Sequence, residues 1–199
     1  QNPALYTNRE LSWLLFNKRV LSEARDKQLL LFERLKFLSI TASNLDEFFM
    51  VRIGSLVDMI HAEYTKKDIA GMSAKEQLDA LMEETHKFAA LQYSTYNRML
   101  LPQLRANGLN FVEHHEQLTE RQAQYVDEYF EENVYPVLTP MAVDSSRPFP
   151  LIRNKTLNIG ALVAKKGEKD TEIEFATVQV PSVLPRVVRI PAAKEGDTE

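Results

Sequence analysis

NLDEFFMVRIGSLVDMI, Asn44 to Ile60, carries the clearest helical signature in a chain of 199 residues. Leu45, Phe48, Phe49, Arg52, Ile53, Leu56, Met59 and Ile60 recur at three- and four-residue intervals, the spacing that gathers side chains on one face of an α-helix. Ser43, with Asp46 three positions on, approximates a capping box, so the pattern predicts a helix from Asn44 to about Glu63. A face this apolar needs partners to cover it, and the flanking sequence supplies them.

Upstream, a helix is expected from about Asn8 to Asp26 behind Thr7 and Glu10. Leu11, Leu14, Leu15 and Leu21 form one stripe and Trp13, Phe16, Val20 and Ala24 another, an apolar face broad enough to predict burial on most sides. A second helix is expected near Leu29 to Ile40, with Leu31, Leu35 and Leu38 in register. Downstream, Ser73 and Glu76 open a long helix from Ala74 to about Leu100. Short links between long amphipathic helices favour antiparallel neighbours, hence a helical bundle.

Eight of the nine prolines lie from Pro102 onward, which breaks the helical character there. Pro102 to Gly108 reads as a connector, Asn110 to Glu113 as a short strand, and Glu120 to Val134 as a helix that Pro136 stops. Thr139 to Lys155 reads as a structured loop with a buried Phe149. Leu157, Ile159, Ala161 and Val163 alternate, as do Ile173, Phe175 and Thr177, with Lys165 to Asp170 as the hairpin link and Val183 to Ile190 as an edge strand. The fold class expected is α+β: an antiparallel helical bundle over 1–105, then a partial α+β domain with an antiparallel hairpin over 106–199. One helix and two or three strands cannot cover both faces of a sheet, so this second unit looks unfinished.

Composition narrows the function classes. With 24 Lys+Arg against 28 Asp+Glu the net charge is −4, which argues against a strongly cationic nucleic-acid binder. No cysteine is present, so disulfides and cysteine-ligated zinc are excluded. No apolar run approaches the roughly 18 residues of a membrane span, and no signal-peptide pattern opens the chain. The cytoplasm is the expected compartment.

Few residues offer chemistry. His61, His86, His114 and His115 lack the i, i+4 pairing of a helical metal site, so no metal ligand is expected among them. No glycine lies in a phosphate-cradling spacing, and no nucleophilic serine motif occurs. What remains is Ser43 to Arg52, read as a helix N-terminus whose amides face a ligand or are simply capped; local physics favours capping. Within it Asn44, which both donates and accepts, suits the edge of a base or sugar better than a phosphate. The loop holding Arg147, Arg153 and Lys155 is equally a connector or a site for an acidic partner.

The run Arg9-Glu10-Leu11-Ser12-Trp13-Leu14, then Phe16-Asn17, Arg19-Val20-Leu21 and Glu23-Ala24, is followed by Glu33-Arg34-Leu35-Lys36-Phe37-Leu38 and Ser43 to Arg52. Together these closely resemble the start of the polyphosphate kinase family. Leu138-Thr139-Pro140, Pro148-Phe149-Pro150, Asn154 and Leu157-Asn158 resemble its next domain.

The resemblance implies an enzyme that reversibly transfers the terminal phosphate of ATP to inorganic polyphosphate through a phosphorylated histidine. It implies a helical N-terminal domain, a head domain used in homodimers or homotetramers, and two C-terminal domains resembling phospholipase D. The phosphoacceptor histidine, the phosphate-binding arginines and the Mg2+ site belong to those C-terminal domains, so no catalytic or metal-binding residue is expected here. Asn44 is the one position that maps onto a family binding residue, and is expected near the ATP base. The expectation is an N-terminal portion, inactive alone, in the cytoplasm or at the periphery of the inner membrane. The rival is a non-catalytic helical protein-interaction module on the same scaffold, which the reading frame beyond Glu199 would distinguish.

Overall fold

The computed structural model describes residues 2–143, 149–164 and 173–191. The chain divides into two compact units, Gln1–Phe111 and Val112–Glu199.

The first unit is helical. Helix α1 (Arg9–Arg25) starts one residue later than Thr7 predicts, because Asn8 Oδ1 accepts from the amides of Glu10 (3.0 Å) and Leu11 (2.9 Å). Its buried residues are Glu10, Leu14, Asn17, Leu21 and Ala24, a narrow seam at alternating four- and three-residue steps. The expectation of burial on most sides is thereby corrected: Leu15 and Phe16 are exposed.

Helix α2 (Leu31–Glu47) runs antiparallel beside α1 and does not stop where the sequence predicts a new start. Ser43, Asn44 and Asp46 lie inside it. Their backbone is helical, and the amide of Phe48 bonds the carbonyls of Asn44 and Leu45. The chain then passes through a π-helical segment, Phe48–Ile53, directly into α3 (Gly54–His61). The two expected helices, 29–40 and 44–63, are therefore one continuous rod. No helix N-terminus exists at Ser43, and the reading of free amides or capping there falls with it.

Helix α4 (Ala74–Thr95) begins at the expected capping box. Glu76 Oε2 accepts from the Ser73 amide (2.7 Å), and Ser73 Oγ accepts from the Glu76 amide (3.3 Å). A second π-helical segment, Tyr96–Leu100, leads into α5 (Leu101–Ala106), which contains Pro102. The expected connector from Pro102 is thus helical in its first half. A π turn is wider than an α turn, and it opens the backbone just where the proline ring would otherwise press on the preceding turn. The rod ends in a Schellman motif: Gly108, at φ +82°, donates to Arg105 O and Leu109 donates to Leu104 O.

Two apolar clusters hold the bundle. One joins Leu14, Phe48, Ile53, Leu56, Ala74 and Leu81, and the other joins Leu21, Ala24, Leu38, Phe88 and Leu100. Each draws on α1, the α2–α3 rod and the α4–α5 rod, so tertiary packing of all three holds each helix in place.

In the second unit, α6 (Glu120–Tyr129) starts at Thr119, whose amide donates to Gln122 Oε1 (3.1 Å). A π-helical segment (Phe130–Val134) and a 3-10 turn (Tyr135–Val137) that takes up Pro136 complete it. Three antiparallel strands follow: β1 (Pro140–Val143), β2 (Leu157–Val163) and β3 (Glu174–Val180), in the order β1-β3-β2. The alternation of the last two was legible; β1 corrects the expectation of a continuous loop from Thr139. It forms because Met141 and Val143 find partners in Thr177 and Phe175. The strands expected at 110–113 and 183–190 are absent, the latter replaced by turns such as Leu184 N to Pro181 O. The hairpin link at 165–170 lies outside the described residues. Phe149, expected to be buried, is 59% exposed, although its ring stacks on Phe175. Among the described residues of this unit only Ala176 and Thr177 are buried.

Candidate functional site

The antiparallel pairing of α1 with the α2–α3 rod places three polar or aromatic rungs in succession. At one end Asn44 Nδ2 donates to Asn17 Oδ1 (3.0 Å). In the middle Trp13 stacks on Phe48, centroids 4.5 Å apart at 11°. At the far end Arg52 donates to Glu10 Oε2 (3.1 Å). In an unbroken α-helix, eight residues advance about 800°, which would leave Arg52 about 80° off the face that holds Asn44. The π turns between them rotate less per residue, and so both reach α1.

Asn17 is fully buried. Its Nδ2 donates to the main-chain carbonyl of Thr41 (3.1 Å). Thr41 Oγ1 donates to Leu38 O (2.7 Å) and accepts from Gln92 Nε2 of α4 (2.9 Å). The network therefore ties all three rods together around Asn17. Asn44 is half-buried at its outer end, and among the described residues nothing donates to its side-chain oxygen.

The signal for Asn17 was present in the sequence. It is a polar residue on the seam Glu10, Leu14, Asn17, Leu21, Ala24, where the period demands an apolar side chain. Asparagine within a helix carries no motif of its own, so only its place on the seam marks it.

Two clefts flank this network, and Asn44 lines neither. One, of about 480 Å³, lies between α1 and α4; Lys87 there bonds Glu83 and Glu84 at 2.7 Å. Those bonds push the Lys87 ammonium well above its ordinary range, and they hold the Glu83 carboxyl below its own. The other, of about 640 Å³, sits beside the Glu10–Arg52 pair and is lined by Arg9, Arg52, Lys66 and Lys67 as well as Glu10 and Asp68. Both carboxylates are engaged internally. Asp68 accepts from Asn8 Nδ2 and the Met72 amide, each at 2.7 Å, and Glu10 accepts from Arg9 and Arg52.

The remaining candidates stay apart. His61 and His86 are exposed, and His115 Nε2 lies 3.3 Å from Asp127 Oδ1. Among the described residues no group of three or more histidines and carboxylates converges as a metal site. Arg153 and Lys155 are exposed on the turn that precedes β2, and Arg147 lies outside the described residues.

Two family models match, described as the polyphosphate kinase N-terminal domain over residues 6–112 and the polyphosphate kinase middle domain over residues 121–199. The polyphosphate kinase of Lactiplantibacillus plantarum is 53% identical over 188 residues, covering 94% of this chain and 26% of that protein. The polyphosphate kinase of Halalkalibacterium halodurans is 47% identical, covering 95% and 27%. The crystal structure of polyphosphate kinase from Porphyromonas gingivalis matches with a TM-score of 0.73 at 30% identity, over 95% of this chain and 27% of that one. The chain thus spans about a quarter of the length of the relatives it matches.

Proposed function

The chain belongs to the polyphosphate kinase family, and we propose that it supplies the nucleotide-base end of an enzyme moving the terminal phosphate of ATP reversibly onto inorganic polyphosphate. The observation that carries this reading is Asn44. It sits on a rigid helix, anchored from behind by a buried partner, and keeps one hydrogen-bonding atom disengaged toward the outside. Such a group is suited to a neutral base edge.

The phosphate end of the reaction requires a different environment. Phosphoryl transfer depends on concentrated positive charge around the transferring group. A chain of net charge −4 does not provide it alone. The family resemblance assigns the phosphorylated histidine, the arginines that hold the phosphates and the magnesium site to the C-terminal domains of such a polyphosphate kinase, and the charge of this chain is in keeping with that. Exposed apolar side chains on the sheet, such as Leu157, Ile159 and Leu162, are in keeping with the second unit's use in a homodimer or homotetramer. No helix among the described residues is long and apolar enough to cross a membrane, and the reading places the reaction in the cytoplasm.

Two assays test this. The isolated 199-residue chain should make no polyphosphate from ATP, whereas the full-length enzyme should. In the full-length enzyme, Asn44→Ala should raise the KM for ATP more than that for polyphosphate. Unchanged values for both substrates would remove Asn44 from the site.

A further inference from the structure

We infer that Asn17 is a positioning residue that sets base specificity: it fixes the Asn44 carboxamide so that an acceptor faces the nucleotide, selecting a purine that carries an amino group at C6 over one that carries a keto oxygen there. The inference rests on the reading of Asn44 as the base contact.

A carboxamide offers opposite chemistry from its two ends, two donors on nitrogen and an acceptor on oxygen. Which end points outward normally depends on a free rotation of the amide. Here it does not, because the order is imposed from a main-chain atom. The carbonyl of Thr41 can only accept, so Asn17 must turn its Nδ2 toward it (3.1 Å). That leaves Asn17 Oδ1, an acceptor, facing Asn44, which must therefore turn its own Nδ2 inward (3.0 Å).

Reversing either amide would set two oxygens against each other beside a side chain with no access to water. Thr41 is held in turn by Gln92 and by its bond to Leu38 O, so the anchor of the relay is itself fixed. The atom left outward is Asn44 Oδ1, to which no described residue donates. An acceptor at that position pairs with the 6-amino group of adenine. It meets the 6-keto oxygen of guanine or hypoxanthine as lone pair against lone pair.

The test compares ATP with inosine triphosphate as phosphoryl donors for the full-length enzyme, reading kcat/KM for each. The wild type should favour ATP by about tenfold or more, the size expected for one hydrogen bond gained and one repulsion avoided. Asn17→Ala frees Asn44 to rotate and should bring the ATP-to-inosine ratio toward one without changing the KM for polyphosphate. Asn44→Asp presents an acceptor from either end, so the double variant Asn17→Ala with Asn44→Asp should recover the preference for ATP.

The ratio is internal to each variant, so a loss of folded enzyme cancels from it. If Asn17→Ala does not fold, the near-isosteric Asn17→Leu takes its place, filling the same space without an acceptor for Asn44: its ATP-to-inosine ratio must fall toward one, and a retained ratio overturns the positioning role. A wild-type ratio near one, with Asn44→Leu still raising the KM for ATP, overturns the acceptor while leaving the base contact standing. An Asn44→Leu variant unchanged toward both nucleotides overturns the base contact itself. An unchanged ratio in Asn17→Ala overturns the positioning role.

Discussion

Arg52 bonds Glu10 across the antiparallel helix pair at 3.1 Å, yet the two side chains differ in their access to water: 37% for Arg52 and 7% for Glu10. The asymmetry predicts unequal costs of losing either partner. Arg52→Ala leaves a nearly buried carboxylate supported by exposed Arg9 alone, and should cost about 2 kcal/mol, discounted from the value for a fully buried pair. Glu10→Gln leaves arginines that can turn to solvent, and should cost about 1 kcal/mol. Urea unfolding of the 199-residue chain measures both; equal losses would contradict the assignment.

Phe48 is almost fully buried against Trp13, the chain's one tryptophan. Phe48→Ala should cost about 3–5 kcal/mol, as for other large-to-small changes of a core aromatic. It should also shift Trp13 emission to longer wavelength as water enters the vacated space. Phe48→Leu should keep most of both.

The Glu76 carboxyl is held below its ordinary range, first by the Ser73 amide, then by the Ser73 hydroxyl and the charge of Lys67. The folded chain therefore binds this proton less readily than the unfolded chain. The contribution is complete above about pH 4.5 and is lost as pH falls through the lowered folded value. Glu76→Gln, which still accepts from the Ser73 amide, should flatten the fall of Tm on the acid side and leave the neutral side nearly level. A scan of Tm from pH 7 to 3 checks the sign.

A Cβ at Gly160 would lie 3.1 Å from the ring of Phe175. The ring covers a glycine on edge strand β2, a known way of completing a sheet face. Gly160→Ala must push the ring aside, disturbing its stack on Phe149, and should cost about 1–3 kcal/mol. Thermal unfolding reads the loss, and Phe175→Leu in the same background should recover part of it.

The bundle and the last two strands were legible because their periods are long and uninterrupted. The Ser73–Glu76 box was legible because it is local: both of its hydrogen bonds join residues three apart. Ser43 and Asp46 have the same local pattern and form no cap, because Asn44 is drawn into the helix by Asn17, a residue 27 positions away. Strand β1 escaped for a similar reason. Four residues headed by a proline have no period of their own, and only pairing with β3 makes them a strand. Within the candidate site, Asn44 came from the family resemblance rather than from spacing. Asn17 interrupts an apolar seam and so leaves a trace in the sequence, whereas Gln92 shows its part only where α4 meets Thr41.

The π segment at Phe48–Ile53 works as a phase shifter between two halves of one rod. Substitutions within it change only what a side chain touches. Regularised to an α-helix at its full length, it would swing everything after it by about 80°, carrying Leu56 out of the core and Arg52 away from Glu10, whereas losing one residue as it regularises would keep the phase, because seven residues advance about 700°. In this rod, counting therefore matters as much as chemistry: the surplus residue that the π turns absorb sets which way Arg52 faces, eight residues from Asn44.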